Sequence, residues 1–454
     1  MREPITHPCA SWTAAARRLA WVVLVLAGVL AEGCTLLGTS AVPVSTPSPT
    51  VALVAPSAAA SVLLESTEQP GSHAQPITLT LWLPPEMLPS AEGTGELVAG
   101  LNRAFAAANP LVGIQVVPKA SYGPGGMANM LLTTYAVVPA HAPDVLAIDA
   151  AELQKLADAD VLIPLGGAVP QALWNDLYPW ALEAVTIEGK RLAVPFQTDI
   201  VFLVYNSAVI AEPPRAWYDL ASAKSQYVFP AERGDGSAAD MFLAHYLALG
   251  GTLSDKSGRP YLDSTIVAKV LRNYRSAMEL GIVPGSVRTM RTIDDCWQAY
   301  RAGEAGLTNA TSYLYGRDRA TVLGARYAQL PTLNGEPITL ARSWAWAIVA
   351  RDPERRAVAI RYVQSALQSE HLAQWSKASF HLPTRRSVLE LAIEDRDYRS
   401  FLVEQLRHAR PYPNMRHYSE VQDAVSSAIE DVLDGVTTPE RAAIATAALL
   451  ARLR

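Results

Sequence analysis

Several familiar signatures of catalysis are missing from this 454-residue chain: it has no His-Glu-x-x-His, no Gly-x-Ser-x-Gly and no Walker sequence. The glycine cluster Gly123-Pro124-Gly125-Gly126 is not followed by the Lys-Ser/Thr that would make it a phosphate cradle, so it reads as a loop. Eight histidines are scattered without metal-ligand spacing, and neither a metal nor a cofactor is expected. Basic residues are not in excess. The formal net charge is −5, which gives no footprint for nucleic acid. Cysteine is scarce, with Cys9, Cys34 and Cys296 the only three, and no disulfide framework can be built from them. Aromatics make up only 7%, yet eight of the ten Trp lie beyond residue 80. The apolar run at the N-terminus, Leu19 to Leu30, covers 12 residues, short of the roughly 20 that a permanent spanning helix needs.

What is present begins with that same run. Arg2, Arg17 and Arg18 precede it and small residues follow it, the layout of an export signal. Leu30-Ala31-Glu32-Gly33-Cys34 resembles the lipobox of bacterial lipoproteins, in which the Cys becomes the acylated first residue of the mature protein. Glu32 is an unusual occupant of such a motif; an uncleaved anchor or a simple secretion signal is the alternative. With Cys9 removed and Cys34 acylated, Cys296 is left alone and reads as a small buried hydrophobe. From Thr35 to about Pro76, Ser, Thr, Pro, Ala and Val predominate without any period that could bury a face, so residues 34–76 are expected to form a disordered tether.

Beyond the tether, hydrophobic residues at 50% overall and charged ones at 18% describe a globular protein long enough for two packed cores. Apolar runs alternate with amphipathic stretches, as α/β layers require. Ile77 to Trp82 alternates like a strand, Glu96 to Ala108 has helical spacing, and Ile114 to Val117 and Asp144 to Ile148 read as further strands. A helix is expected over Ala151 to Ala159, and Leu192 to Tyr205 is strand-rich. Helices dominate from there through Gly281. The stretches Pro85 to Gly95 and Ser121 to Gly126 read as loops after strand ends, where open α/β sheets place ligands.

A series of spaced segments carries a family resemblance. Ala157-Asp158-Ala159-Asp160-Val161-Leu162-Ile163-Pro164-Leu165, Thr186 to Phe196 followed by Leu203-Val204-Tyr205-Asn206, Gly303-Glu304-Ala305-Gly306-Leu307, Ser343 to Ile348, Leu382-Pro383-Thr384-Arg385-Arg386, and Gly435 to Glu440 are each weak alone. Their order and separation are specific. Over residues 77 to 450 the chain resembles the extracellular solute-binding proteins of family 1, the group that includes maltose-binding protein.

The resemblance implies two discontinuous α/β lobes joined by hinge strands, the periplasmic-binding-protein fold of type II. It places 77–198 with 345–388 in lobe 1 and 199–344 with 389–454 in lobe 2, with crossings near Asp199 and Trp344 and a third around 385 to 395. It also implies a monomer, not an enzyme, that captures a sugar or oligosaccharide at the outer face of the membrane and delivers it to an ABC importer permease. A non-sugar solute such as a polyol phosphate, peptide or polyamine, and a role as a solute sensor, remain alternatives. A secreted hydrolase would need paired carboxylates about 5 to 10 Å apart, and the matching segments supply no such pair.

Carbohydrate recognition calls for flat aromatic faces and for carboxylate or amide groups to hold hydroxyls. By position in the matching segments, Tyr313 and Tyr418 stand where family members commonly have aromatics, often Trp, which suits a smaller or more polar solute. Trp344 lies at a crossing, Asp199 takes the place of a hinge-strand acid, Asp149 follows the third strand, and Trp82 ends the first. Tyr122 and Gln197 complete the expected ligand-binding set. Core packing, or a hinge hydrogen bond for the carboxylates, is the competing role for each. Trp174, Trp180, Trp217, Trp297 and Trp375 are expected in the core. Arg342 replaces the usual Gly before the second crossing, a departure that bears on cleft geometry.

Overall fold

A computed structural model describes residues 75–88, 94–123 and 125–453. The expected lipid-bearing Cys34, the signal and the tether up to Ala74 lie outside these residues. Among the described residues no helix is long and apolar enough to cross a membrane.

Among the described residues twelve strands run in chain order: β1 Ile77–Leu83, β2 Val112–Pro118, β3 Val145–Asp149, β4 Thr186–Ile187, β5 Lys190–Arg191, β6 Ala193–Asn206, β7 Tyr227–Val228, β8 Leu307–Thr311, β9 Ala325–Ala328, β10 Thr339–Ile348, β11 Leu382–Pro383 and β12 Ala409–Pro411. β4 and β5 form a small hairpin; the other ten join one sheet whose main path is β2-β1-β3-β10-β6-β8-β7. β1 pairs in parallel with β2 and β3. A parallel pair needs a crossover, and the helix Thr94–Ala108 supplies it between β1 and β2. All five residues of β3 are buried, as expected of a strand covered on both faces.

The expected elements are found with small shifts. The helix predicted over 151–159 opens as a 3-10 turn, Ala150–Glu152, because the Asp149 carboxylate accepts the Ala151 N–H at 2.9 Å; α-helix follows over Leu153–Asp158.

Two long strands do the joining. β6, at 14 residues, pairs antiparallel with β10 through its first half and with β8 and β9 through its second. β10 in turn lies between β6 and β3, and its first residues carry β12. The β6–β10 register slips between Trp344 and Ala345, where their partners are Gln197 and Pro195. Pro195 has no N–H to give the ladder, and a bulge is where a strand tolerates that. The third connection is β11, antiparallel to Thr198 and Gln197; a helix, Arg386–Ala392, begins three residues later.

One hydrophobic core collects Leu79, Leu81, Val145, Leu146, Phe196, Trp346 and Tyr362 among residues drawn from 79–196 and 345–388. A second collects Phe229, Phe242, Leu271, Val425 and Ile429, among others drawn from 203–450. A third cluster packs Phe202, Trp297, Tyr315 and Leu402 beside Tyr178 and Trp180. The architecture is therefore two lobes strung on the β6, β10 and β11 connections.

Candidate functional site

The crossing strands make the floor. Along β10 the burial pattern leaves Arg342 and Trp344 as the two half-buried side chains among buried neighbours, so both face the open side of the sheet. On β6 only Asp199 and the last two residues are not buried.

A cavity of about 420 Å³ opens beside Trp344. Pro84, Glu86 and Met87 line it from the turn after β1, Gln197 from β6, Tyr313 and Arg317 from the helix Ser312–Asp318, and Trp375 with Ala378 to His381 from the helix end before β11. Elements of both lobes and of the crossings thus face one space. A larger cavity, about 570 Å³, is lined by Glu183, Glu188, Arg410 and Asn414, with Tyr412 its one aromatic among the described residues, so these offer almost no stacking surface.

Around the smaller cavity the side chains are tightly held. Trp375 is mostly buried, and its indole N–H donates to Oε1 of Gln197, fixing that amide and leaving its NH₂ as the donating end. Tyr313 stacks on His381, with centroids 5.0 Å apart and planes 15° from parallel. The Arg317 guanidinium lies 5.2 Å from the Tyr313 ring centroid and grips Asp318 through two 2.7 Å bonds. That grip, with a Trp297 indole bond and the nearby Arg301 charge, holds the Asp318 carboxyl down at about 2. Asp199 accepts the Ser312 hydroxyl and the Tyr313 N–H, the latter at 2.8 Å, and its other oxygen is 3.3 Å from His381. Thr311 is the N-cap of the helix that carries Tyr313, and Asp199 adds a second cap from outside it by accepting the Tyr313 N–H.

The expected ligand-binding residues fall into four places. Trp344, Tyr313 and Gln197 line the cavity. Asp199 does not line it but anchors Tyr313, which does. Asp149, Tyr122 and Tyr418 belong to a neighbouring cluster: Asp149 accepts from Tyr122 at 2.8 Å and from Arg342 at 2.7 Å, while Tyr418 donates to Asp240 at 2.9 Å. Trp82 is only 4% exposed, with the Lys119 ammonium 4.6 Å above its ring.

Sequence reasoning did not single out Glu86, Arg317, His381 or Trp375. Glu86 lies in the loop after β1 already marked as a ligand-side loop, Arg317 is one helical turn beyond Tyr313, and His381 immediately precedes a family segment. Those signals were available. Trp375 was assigned to the core, and its burial agrees; only the edge turned to the cavity could not be read from helical spacing.

Chemically, the arrangement offers aromatic edges and faces, an amide, and one lining carboxylate, Glu86, among the described residues. It is equipped to hold a polar ligand with apolar faces. A sequence profile of bacterial extracellular solute-binding proteins matches residues 101–397. A probable ABC transporter-binding protein of Deinococcus radiodurans is 23% identical over 64% of this chain and 76% of its own. The maltodextrin-binding protein MdxE of Bacillus subtilis is 20% identical over 58% of this chain and 66% of its own. Among solved structures, the cyclic alpha-maltosyl-1,6-maltose binding protein of Arthrobacter globiformis superimposes with a TM-score of 0.71 at 20% identity, covering 83% of this chain and 98% of that one. The chain belongs to the bacterial extracellular solute-binding protein family, whose members bind their ligands and do not transform them.

Proposed function

We propose that the protein captures a saccharide in the cavity beside Trp344 and presents it to the permease of an ABC importer while anchored to the membrane through lipid on Cys34. The observation that carries the saccharide reading is the convergence of Trp344, Tyr313 and the fixed Gln197 amide on one cavity of about 420 Å³, within the size range of small-molecule sites. Ring faces bind the apolar side of a sugar, and the amide and Glu86 hold its hydroxyls. The relatives named for maltodextrin and cyclic maltosyl-maltose binding support the same class of solute, and the Deinococcus relative supports the ABC role.

In this reading residues 77–198 with 345–388 form one jaw and 199–344 with 389–454 the other, and closure over the solute is what the permease recognises. Asp199 acts as a positioning residue that holds Tyr313. The Cys34 anchor is supported by the lipobox-like stretch that ends there, and one acyl chain binds a membrane only marginally, so a multiply acylated Cys is the expected form.

Mass spectrometry of small molecules released from freshly purified protein tests the solute. A saccharide at near-stoichiometric occupancy is expected; a peptide or polyamine at that occupancy would overturn the reading. The same instrument, applied to membrane-extracted protein, is expected to find acylated Cys34 at the N-terminus. An intact unprocessed N-terminus would remove the anchor from the proposal.

A further inference from the structure

Arg342 and Trp344 share one face of β10, yet only Trp344 lines the cavity. Arg342 is engaged elsewhere. Its guanidinium lies 4.8 Å from the ring centroid of Tyr122 and 5.2 Å from that of Tyr412, and its Nε donates to Asp149. The Tyr412 hydroxyl continues the chain to Asp240, at 2.8 Å, where Tyr418 and Gln422 also donate. Tyr122 follows β2 and Asp149 ends β3; Tyr412, Tyr418 and Asp240 belong to the other lobe's elements. Arg342 is thus the tie between two clusters that face each other across the cleft floor. The cluster adjoins Trp344, whose ring centroid is 6.3 Å from that of Tyr122, so a saccharide lying on Trp344 and extended past it would run onto this ground.

We infer that Arg342 closes this half of the cleft and thereby limits the length of the solute, which is a monosaccharide or disaccharide and not a longer chain. The inference rests on the saccharide reading above. Four observations support it. The Tyr122 and Tyr412 rings each give one face to the guanidinium, which leaves each at most its other face for sugar. The hydroxyls of Tyr122, Tyr412 and Tyr418 are all donated to carboxylates of the protein. Asp149 already accepts from Ala151, Tyr122 and Arg342 and is 1% exposed, so its remaining acceptor site is closed off from a solute hydroxyl. The cavity beside Trp344 stands near the low end of the range of about 300 to 1,000 Å³ for small-molecule sites, and the larger cavity beyond the cluster has no aromatic lining but Tyr412 among the described residues.

Titration calorimetry with matched mono-, di- and trisaccharide series of glucose, xylose, mannose and N-acetylglucosamine tests this on the wild type and on two variants. Arg342→Ala alone strands a buried carboxylate, so the second variant pairs Arg342→Ala with Asp149→Asn, which keeps an acceptor for the Ala151 N–H without needing a cation. In the wild type the best series is expected to bind its trisaccharide at least about tenfold more weakly than its shorter members. In the double variant, shown folded by a thermal melt, the ratio of trisaccharide to short-saccharide affinity is expected to rise by about tenfold or more. A wild type that binds trisaccharide as tightly as the shorter sugars, or a folded double variant with an unchanged ratio, overturns the length limit and leaves the saccharide reading standing. Failure of every series with every protein removes the saccharide reading and the length limit together.

Discussion

Trp344 and Trp346 sit two positions apart on β10 and show how much one register slip decides. Trp344, beside the bulge, is half-buried and lines the cavity, while Trp346 is 3% exposed and stacks on Phe196 at 5.1 Å. Trp344→Ala is expected to weaken saccharide binding by roughly ten- to a hundredfold with little change in melting temperature. Trp346→Ala should instead destabilise the fold by about 3 to 5 kcal/mol. Calorimetry and thermal melts on the two variants separate these roles; equal losses of stability would place Trp344 in the scaffold. His245 offers a second contrast. It is buried against Trp217 and Tyr274, its Nδ1 has no hydrogen-bond partner among the described residues, and burial pushes its pKa down to about 3. The unfolded chain protonates this histidine below about 6.5 while the folded chain does not, so stability is complete above that pH and declines as pH falls toward 3. His245→Phe should therefore flatten the dependence of melting temperature on pH between about 6.5 and 4.5. An unchanged slope would show that His245 is protonated in the folded protein.

Single helices and strands depend on local chemistry that the chain advertises in different degrees. The helix Ser264–Glu279 starts where the Asp263 carboxylate accepts the N–H groups of Thr265 and Ile266, at 2.8 and 3.3 Å. Asp263→Ala should cost about 1 kcal/mol in denaturant unfolding, and a loss below a few tenths would mean that water replaces the cap without penalty. Such signals made most elements readable beforehand: β1 and β3 announce themselves by alternation and by an unbroken apolar run. Other features depend on partners far away in sequence. Nothing around Asp199 says that its carboxylate will cap a helix 113 residues later, and nothing around Arg342 says that Tyr122 and Tyr412 will flank it. Trp344, Tyr313 and Gln197 could be nominated because family segments fix their place relative to the crossings. Glu86 and His381 could not be ranked above their neighbours, since a loop residue's direction is set by the lobe it leans on.

Taken together, the lobes are connected by strands with few residues between them, which favours rotation of one against the other. Small-angle scattering should give a smaller radius of gyration when the best-binding saccharide saturates the protein. A ligand shifts this equilibrium only through contacts that differ between the open and closed forms, so Tyr313→Ala, which removes contact from one side, should reduce the change along with the affinity. An unchanged radius at saturation would establish a rigid cleft.

The pairing of β3 with β10 also sets a clock. Asp149 and Arg342 are 193 residues apart, and the first core needs residues 345–388 to bury Leu146 and Ile148. A chain that emerges N-terminus first must keep β1 to β3 waiting until most of its length has followed. Long-range pairings of this sort close slowly because the loop entropy comes before the contact energy. For a protein that works outside the membrane, that delay is useful: the leading segment cannot finish folding during passage, and both lobes acquire their cores only after β10 has arrived.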